Sequence, residues 1–139
     1  MRFWDSSAVM PLLVKEQLSA LRAGQAADDP GMTVWWASRV ECASALNRLR
    51  RDGALDEQGL DRALSRLDAL AERWYEVLPV PEVRARALRL LRVHPLRAAD
   101  ALQLAAALVA TGEDPSVLPF LTSDDRLRDA ARKEGFAVG

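Results

Sequence analysis

Apolar residues along this chain alternate between two rhythms: short continuous runs, and longer stretches in which they recur at helical spacing. Residues 1–4 form the first short run, which stops at Asp5-Ser6-Ser7 and predicts a strand with Asp5 at its carboxyl end. Residues 8–21 then predict a helix, with Pro11 close enough to its start to be tolerated. The breakers Gly24, Asp28-Asp29-Pro30 and Gly31 predict a loop over 24–31. Residues 32–36, rich in β-branched and aromatic side chains, predict a second strand. Ser38 then opens a helix running to about residue 52, with Ser38 and Glu41 at the spacing of a capping box.

The same alternation continues to the C-terminus. A helix over 56–74 carries the stripe Leu60, Leu64, Leu67 and Leu70, a strand follows at 75–80, and Pro81 opens a helix over 82–93. The next helix, near 97–112, ends where Gly112 can take a left-handed cap. Residues 116–121 predict a strand in which Pro119 argues against a central position, and 126–134 a short charged helix. Gly135 and a last strand at 136–138 complete the chain. Strands alternating with helices predict an α/β fold, a three-layer α/β/α sandwich with a mostly parallel central sheet and right-handed crossovers. At 139 residues, half of them hydrophobic, the chain is expected to form one domain over 1–139.

The helix near 97–112 is the one the rest is organised around. From Ala98 to Ala110 every residue is apolar or small except Asp100 and Gln103, so nearly all its faces suit burial. Asp100 sits in its first turn, where the helix dipole favours a negative charge by about 0.3–1 kcal/mol. A carboxylate removed from water also demands a partner, because leaving it charged and alone costs several kcal/mol, roughly.

Composition removes several function classes. With 19 basic and 20 acidic residues the charges nearly cancel, so nothing in the balance favours a non-specific nucleic-acid-binding module. All but Lys15 and Lys133 of the basic residues are arginine, which suits bidentate phosphate contacts. The lone Cys42 excludes an internal disulfide and a multi-cysteine zinc site, and fits a reducing cytoplasm. No secretory signal or membrane span is expected. His94 is the only histidine and directly precedes Pro95, where a turn role fits better than serine–histidine catalysis; cleavage by a histidine pair is excluded. No glycine-rich phosphate loop is present.

In parallel α/β folds ligands gather at the carboxyl ends of the strands. Asp5 and Asp124 follow strands, and Glu41 and Asp100 lie in the first turns of helices leaving the same edge. Each has a local explanation: Asp5 and Asp124 as caps, Glu41 in the capping box, Asp100 on the dipole. Their convergence on one edge favours a shared role. Clustered carboxylates repel unless a hard divalent cation, Mg2+ or Mn2+, joins them, and such an ion can activate water against a phosphodiester. The residues thus point to a metal-dependent phosphodiesterase.

Four segments carry a further likeness. Phe3-Trp4-Asp5-Ser6-Ser7-Ala8, Ser38-Arg39-Val40-Glu41, Pro95-Leu96-Arg97-Ala98-Ala99-Asp100-Ala101-Leu102-Gln103-Leu104-Ala105 and Leu121-Thr122-Ser123-Asp124 resemble, in order, the motifs of PIN-domain ribonucleases of the VapC toxin type. The resemblance spans the whole chain. It implies a PIN-like fold and an endoribonuclease of a toxin–antitoxin pair, with RNA as substrate. Asp5 and Asp100 would be the principal Mg2+ (or Mn2+) ligands, Asp124 and Glu41 would complete the acidic pocket, and the hydroxyls of Ser7 and Thr122 would orient them. Asp124 is preferred to Asp125 because it stands two residues after Thr122, as the family pattern has it. A VapB-like antitoxin blocking the pocket and a homodimer also follow from the likeness, while the cytoplasmic location rests on the lone cysteine.

Rim arginines would hold the substrate, with Arg39 and Arg97 foremost and Arg48, Arg50 and Arg51 behind them, although for each a solvated helix face is the simpler explanation. Trp35, Trp36 and Trp74 can serve either interfaces or the core. Two other readings are an interaction module without catalysis and a metal-dependent phosphoesterase for a different substrate.

Overall fold

The computed structural model describes residues 1–139. Four short strands, β1 (Arg2–Trp4), β2 (Met32–Trp35), β3 (Tyr75–Val77) and β4 (Phe120–Leu121), pair in the order β3-β2-β1-β4, and every pairing is parallel. Seven helices cover them: α1 (Ser6–Leu13), α2 (Ser19–Ala27), α3 (Ser38–Arg51), α4 (Glu57–Ala71), α5 (Pro81–Val93), α6 (Ala98–Ala110) and α7 (Asp125–Lys133).

Side-chain alternation along the strands divides the core. Phe3, Trp35 and Phe120 face one layer and pack with Val83, Leu90, Leu104, Leu108 and Leu127 from α5, α6 and α7. Their neighbours Trp4, Val34 and Leu121 face the other layer and pack with Val9, Leu13, Leu46, Leu60 and Leu67 from α1, α3 and α4. A two-residue period thus gives each strand two apolar faces, as a doubly covered parallel sheet requires. On the first face, Phe3 stacks on Phe120 with ring centroids 5.3 Å apart. Trp35 and Trp74 belong to the core, whereas Trp36 is 51% exposed.

Several expected boundaries shift for local reasons. The helix expected over 8–21 is two helices, and the second reaches Ala27, so the loop begins only at Asp28. The break falls where Ser19 Oγ accepts from Glu16 N at 2.8 Å and donates to the Val14 carbonyl at 3.2 Å, closing a turn in place of helical bonds. Pro11 does not delay α1, which already starts at Ser6. The capping box on α3 is absent: Ala37 is the N-cap, no side chain caps it, and Ser38 and Glu41 turn to other partners.

Near the C-terminus the strand expected over 116–121 shrinks to Phe120–Leu121, preceded by a 3-10 turn over Pro115–Val117. Pro119 is accommodated because its carbonyl, not its missing N–H, enters the sheet, accepting from Phe3 N at 2.8 Å. The last expected strand is a single parallel bridge between Phe120 and Val138. That tail still covers the free side of β4, with Phe120 N donating to the Ala137 carbonyl at 2.8 Å and Gly139 N to that of Phe120 at 3.0 Å.

Candidate active site

The carboxyl edge of the sheet gathers the acidic residues. Asp5 follows β1 and is 3% exposed, yet its side chain does not cap α1. Instead Ser7 Oγ and Thr122 Oγ1, the latter at 2.8 Å, both donate to its Oδ2. Two hydroxyls on one oxygen fix the carboxylate plane, and Oδ1 receives a long contact from Ser6 Oγ at 3.4 Å.

Thr122 also receives Asp124 N–H on Oγ1 at 3.0 Å, and Ser123 N–H donates to Ser7 Oγ at 2.8 Å. The turn after β4 is therefore sewn to the turn after β1. Pro11 contributes to this join. It has no N–H for the carbonyl of Ser7 one turn earlier, and that oxygen instead meets Ser123 Oγ at 3.4 Å. Asp124 caps α7 by accepting from Leu127 N at 2.9 Å, while Asp125 points outward, 97% exposed and paired with Arg128 at 2.6 Å.

Glu41 reaches the same pocket from α3. Its Oε1 accepts from Gln103 Nε2 at 2.6 Å and from Ser6 Oγ at 3.0 Å. Gln103 Nε2 also donates to Ser38 Oγ at 2.9 Å, so one amide holds both residues expected to form the capping box. Gln103 Oε1 is buried without a partner.

Sequence reasoning missed Ser6 and Gln103 as residues that hold the pocket together. The available signal was that Gln103 is, with Asp100, the only polar residue of α6, and stands three positions after it on the same face.

The electrostatics record the convergence. Burial pushes the Asp5 carboxyl above its ordinary pKa, against the pull of the Ser7 and Thr122 hydroxyls. Burial also raises Glu41, opposed by the Gln103 and Ser6 hydrogen bonds and reinforced by the charges of Asp5 and Asp100. Asp100 is raised by burial and then by Asp124 and Asp5, with Arg97 acting in the opposite sense. Negative charge from neighbouring acids thus adds to the burial of both Glu41 and Asp100. No three acidic, histidine or cysteine side chains approach closely enough to make a ready-built ligand cage.

The other candidates lie apart. Arg97, the N-cap residue of α6, is exposed beside the pocket and acts on Asp100. Arg39 is engaged elsewhere, bonded to Asp68 of α4 at 2.7 Å, and Arg50 pairs with Glu57 at 3.0 Å. His94 caps the end of α5, with Nε2 2.6 Å from Glu134 Oε2 at the end of α7; this is a tie between helices. Cys42 is fully buried, and burial pushes its thiol up to about 12, as for an inert core residue. A cavity of about 760 Å³ opens at the opposite edge, where Asp29, Met32 and Trp74 begin β2 and β3, and holds none of the four carboxylates.

Comparison with known proteins agrees with this architecture. A family model described as the PIN domain matches residues 3–133. No curated protein matches the chain. Among solved structures, FitAcB from Neisseria gonorrhoeae superposes with a TM-score of 0.67 at 17% identity, covering 99% of this chain and 96% of that one. A Pyrobaculum aerophilum protein gives 0.66 at 21% identity over 99% and 81%. A toxin–antitoxin complex from Klebsiella pneumoniae gives 0.64 at 14% identity over 89% and 87%. Likeness at these identities is a likeness of fold.

Proposed function

The chain belongs to the PIN-domain family, and from that premise we propose that it is a Mg2+- or Mn2+-dependent endoribonuclease, the toxin of a VapC-type toxin–antitoxin pair. The observation that carries the reading is the gathering of Asp5, Glu41, Asp100 and Asp124 at one sheet edge, where burial raises Asp5, Glu41 and Asp100 and neighbouring acids push Glu41 and Asp100 further in the same direction. Arg97 is the one basic side chain that acts on Asp100. Such a cluster is rich in negative charge, and its donors are all oxygen, the chemistry a hard divalent cation satisfies.

Asp5, Asp100 and Asp124 would hold the ion, which when bound supplies a Lewis acid for the phosphoryl oxygens and a more acidic water. The chain's own groups do the rest. Ser7 and Thr122 fix the rotamer of Asp5, so that carboxylate is oriented before any ligand arrives. Glu41, held by Gln103 and Ser6 and raised by burial, accepts the proton of the attacking water as the water oxygen bonds to phosphorus, and the departing ester oxygen takes a proton from solvent. Arg97 on the rim steers a phosphate toward an edge that otherwise repels it. Arg39 joins it once it exchanges Asp68 for RNA.

The PIN match over residues 3–133 supports reading the chain as one nuclease domain. A VapB-like antitoxin and a homodimer complete the proposal. One structural relative is a toxin–antitoxin complex, and exposed apolar side chains on α5, Leu88, Leu91 and Val93, supply uncovered surface. A cytoplasmic setting fits a lone reduced cysteine, and no helix is long and apolar enough to cross a membrane.

The test is cleavage of a mixed tRNA and structured-RNA pool by antitoxin-free protein, with Mg2+ or Mn2+ supplied or chelated, beside matched DNA and a chromogenic phosphoester. Discrete RNA fragments that require the ion and vanish in Asp100→Asn are expected. Turnover of only the chromogenic ester would replace the reading with a phosphoesterase, and no turnover with any ion would leave an interaction module.

A further inference from the structure

Arg22 is a buried charge, 1% exposed on α2, a helix that contributes no carboxylate to the pocket. Its Nη2 donates to the Thr122 carbonyl at 2.9 Å and approaches Ser123 Oγ at 3.4 Å, while Nη1 donates to Gln25 Oε1 at 2.9 Å. None of these partners is a carboxylate, and Nε finds no acceptor. From the other side Arg128 Nη2, on α7, donates to the same Thr122 carbonyl at 2.6 Å. Two guanidinium groups thus converge on one backbone oxygen.

A buried cation without an anionic partner is a net cost to folding, and a second arginine beside it adds repulsion. Asp5 offsets part of that cost: burial and Arg128 disfavour the Arg22 charge, and Asp5 favours it. The position of the shared carbonyl explains what the arrangement achieves. The hydroxyl of the same residue donates to Asp5 and receives Asp124 N–H, and the next N–H, of Ser123, anchors Ser7, itself bonded to Asp5. Fixing the Thr122 peptide fixes two acids of the pocket at once.

We infer that Arg22 and Arg128 form a clamp on the Thr122 carbonyl that sets Asp5 and Asp124 in their cation-holding geometry, both arginines acting as positioning residues. The inference rests on the metal-dependent reading of the pocket and goes beyond its ligands to what aligns them. Charge and geometry make opposite claims here. Deleting a nearby positive charge by itself tightens cation binding to an acidic pocket, whereas loosening the turn weakens it.

The experiment is titration of Mn2+ into full-length protein, read by the electron paramagnetic resonance signal of the free ion. Wild type is compared with Arg22→Met, Arg22→Lys and Arg128→Met, each checked for folding by circular dichroism. Arg22→Met should weaken Mn2+ binding by roughly ten- to a hundred-fold, and Arg22→Lys, which keeps the charge but loses the fork, should follow it. Arg128→Met, at a position whose side chain is 27% exposed, should weaken it by a smaller factor and keep the fold. Unchanged or tighter binding in a folded Arg22→Met overturns the clamp. Should that variant not fold, an unchanged affinity in Arg128→Met overturns it equally. A wild type that binds no Mn2+ overturns the metal-dependent reading, and the clamp with it.

Discussion

Thr122→Val is a sharp test of how the pocket is built, because it removes one oxygen and keeps the shape. Thr122 is 0% exposed, and Oγ1 serves two bonds, donating to Asp5 Oδ2 at 2.8 Å and accepting from Asp124 N at 3.0 Å. Losing a bond to a charged group costs about 1.5–3 kcal/mol, and losing one between neutral groups about 1 kcal/mol. The variant should therefore lose about 2–4 kcal/mol of stability, which for a chain of this length lowers Tm by about 6–12 °C.

The penalty should depend on pH. Burial raises the Asp5 carboxyl above its ordinary pKa and the Thr122 hydroxyl opposes that rise, so valine raises it further. A raised carboxyl binds more protons folded than unfolded, so its contribution to stability falls as pH climbs from the unfolded to the folded pKa. In the variant that fall extends to higher pH. The difference between the proteins should thus be largest where Asp5 is ionised and shrink toward the neutral bond alone below its raised pKa. Urea unfolding followed by circular dichroism from about pH 4 to about pH 8 measures it. A loss below about 1 kcal/mol at the upper end, or one independent of pH, would refute the claim that Thr122 holds an ionised Asp5.

Three further outcomes follow from the same geometry. Asp100→Asn removes a carboxylate that burial, Asp124 and Asp5 all disfavour, so the metal-free variant should be more stable by about 0.5–2 kcal/mol; calorimetry should show a higher Tm in chelator and a smaller gain on adding Mn2+. Gln103→Leu removes the amide that lowers Glu41, so the acid limb of the pH–rate profile should move to higher pH and kcat should fall roughly ten- to a hundred-fold. Cys42, its thiol pushed up to about 12, should resist iodoacetamide in the native protein and react once urea unfolds it, as mass spectrometry would show.

Much of this architecture is legible in the residues themselves. The alternation of Phe3 with Trp4 and of Val34 with Trp35 predicts strands with two apolar faces, and those pairs do divide the core between the two helical layers. The place of Asp5 and Asp124 after strands, and of Glu41 and Asp100 in first helical turns, follows from the same rhythm. What escaped is set by partners distant in sequence. Ser38 and Glu41 have capping-box spacing, yet Gln103, more than sixty residues away, takes both. The helix break before Ser19 depends on one hydroxyl reaching back to Val14, which periodicity does not encode. Arg22 falls between the helix expected over 8–21 and the loop expected over 24–31, and the approach of the Thr122 turn is what buries it.

Whether these carboxylates hold a divalent cation is visible in a crystal of the protein soaked in Mn2+ and measured for anomalous scattering. One strong peak should stand at the carboxyl edge of the sheet, within about 2.0–2.3 Å of oxygens from Asp5 and Asp100, and vanish in Asp100→Asn. A peak elsewhere, or an empty pocket in a crystal that takes up Mn2+ at other sites, would contradict it.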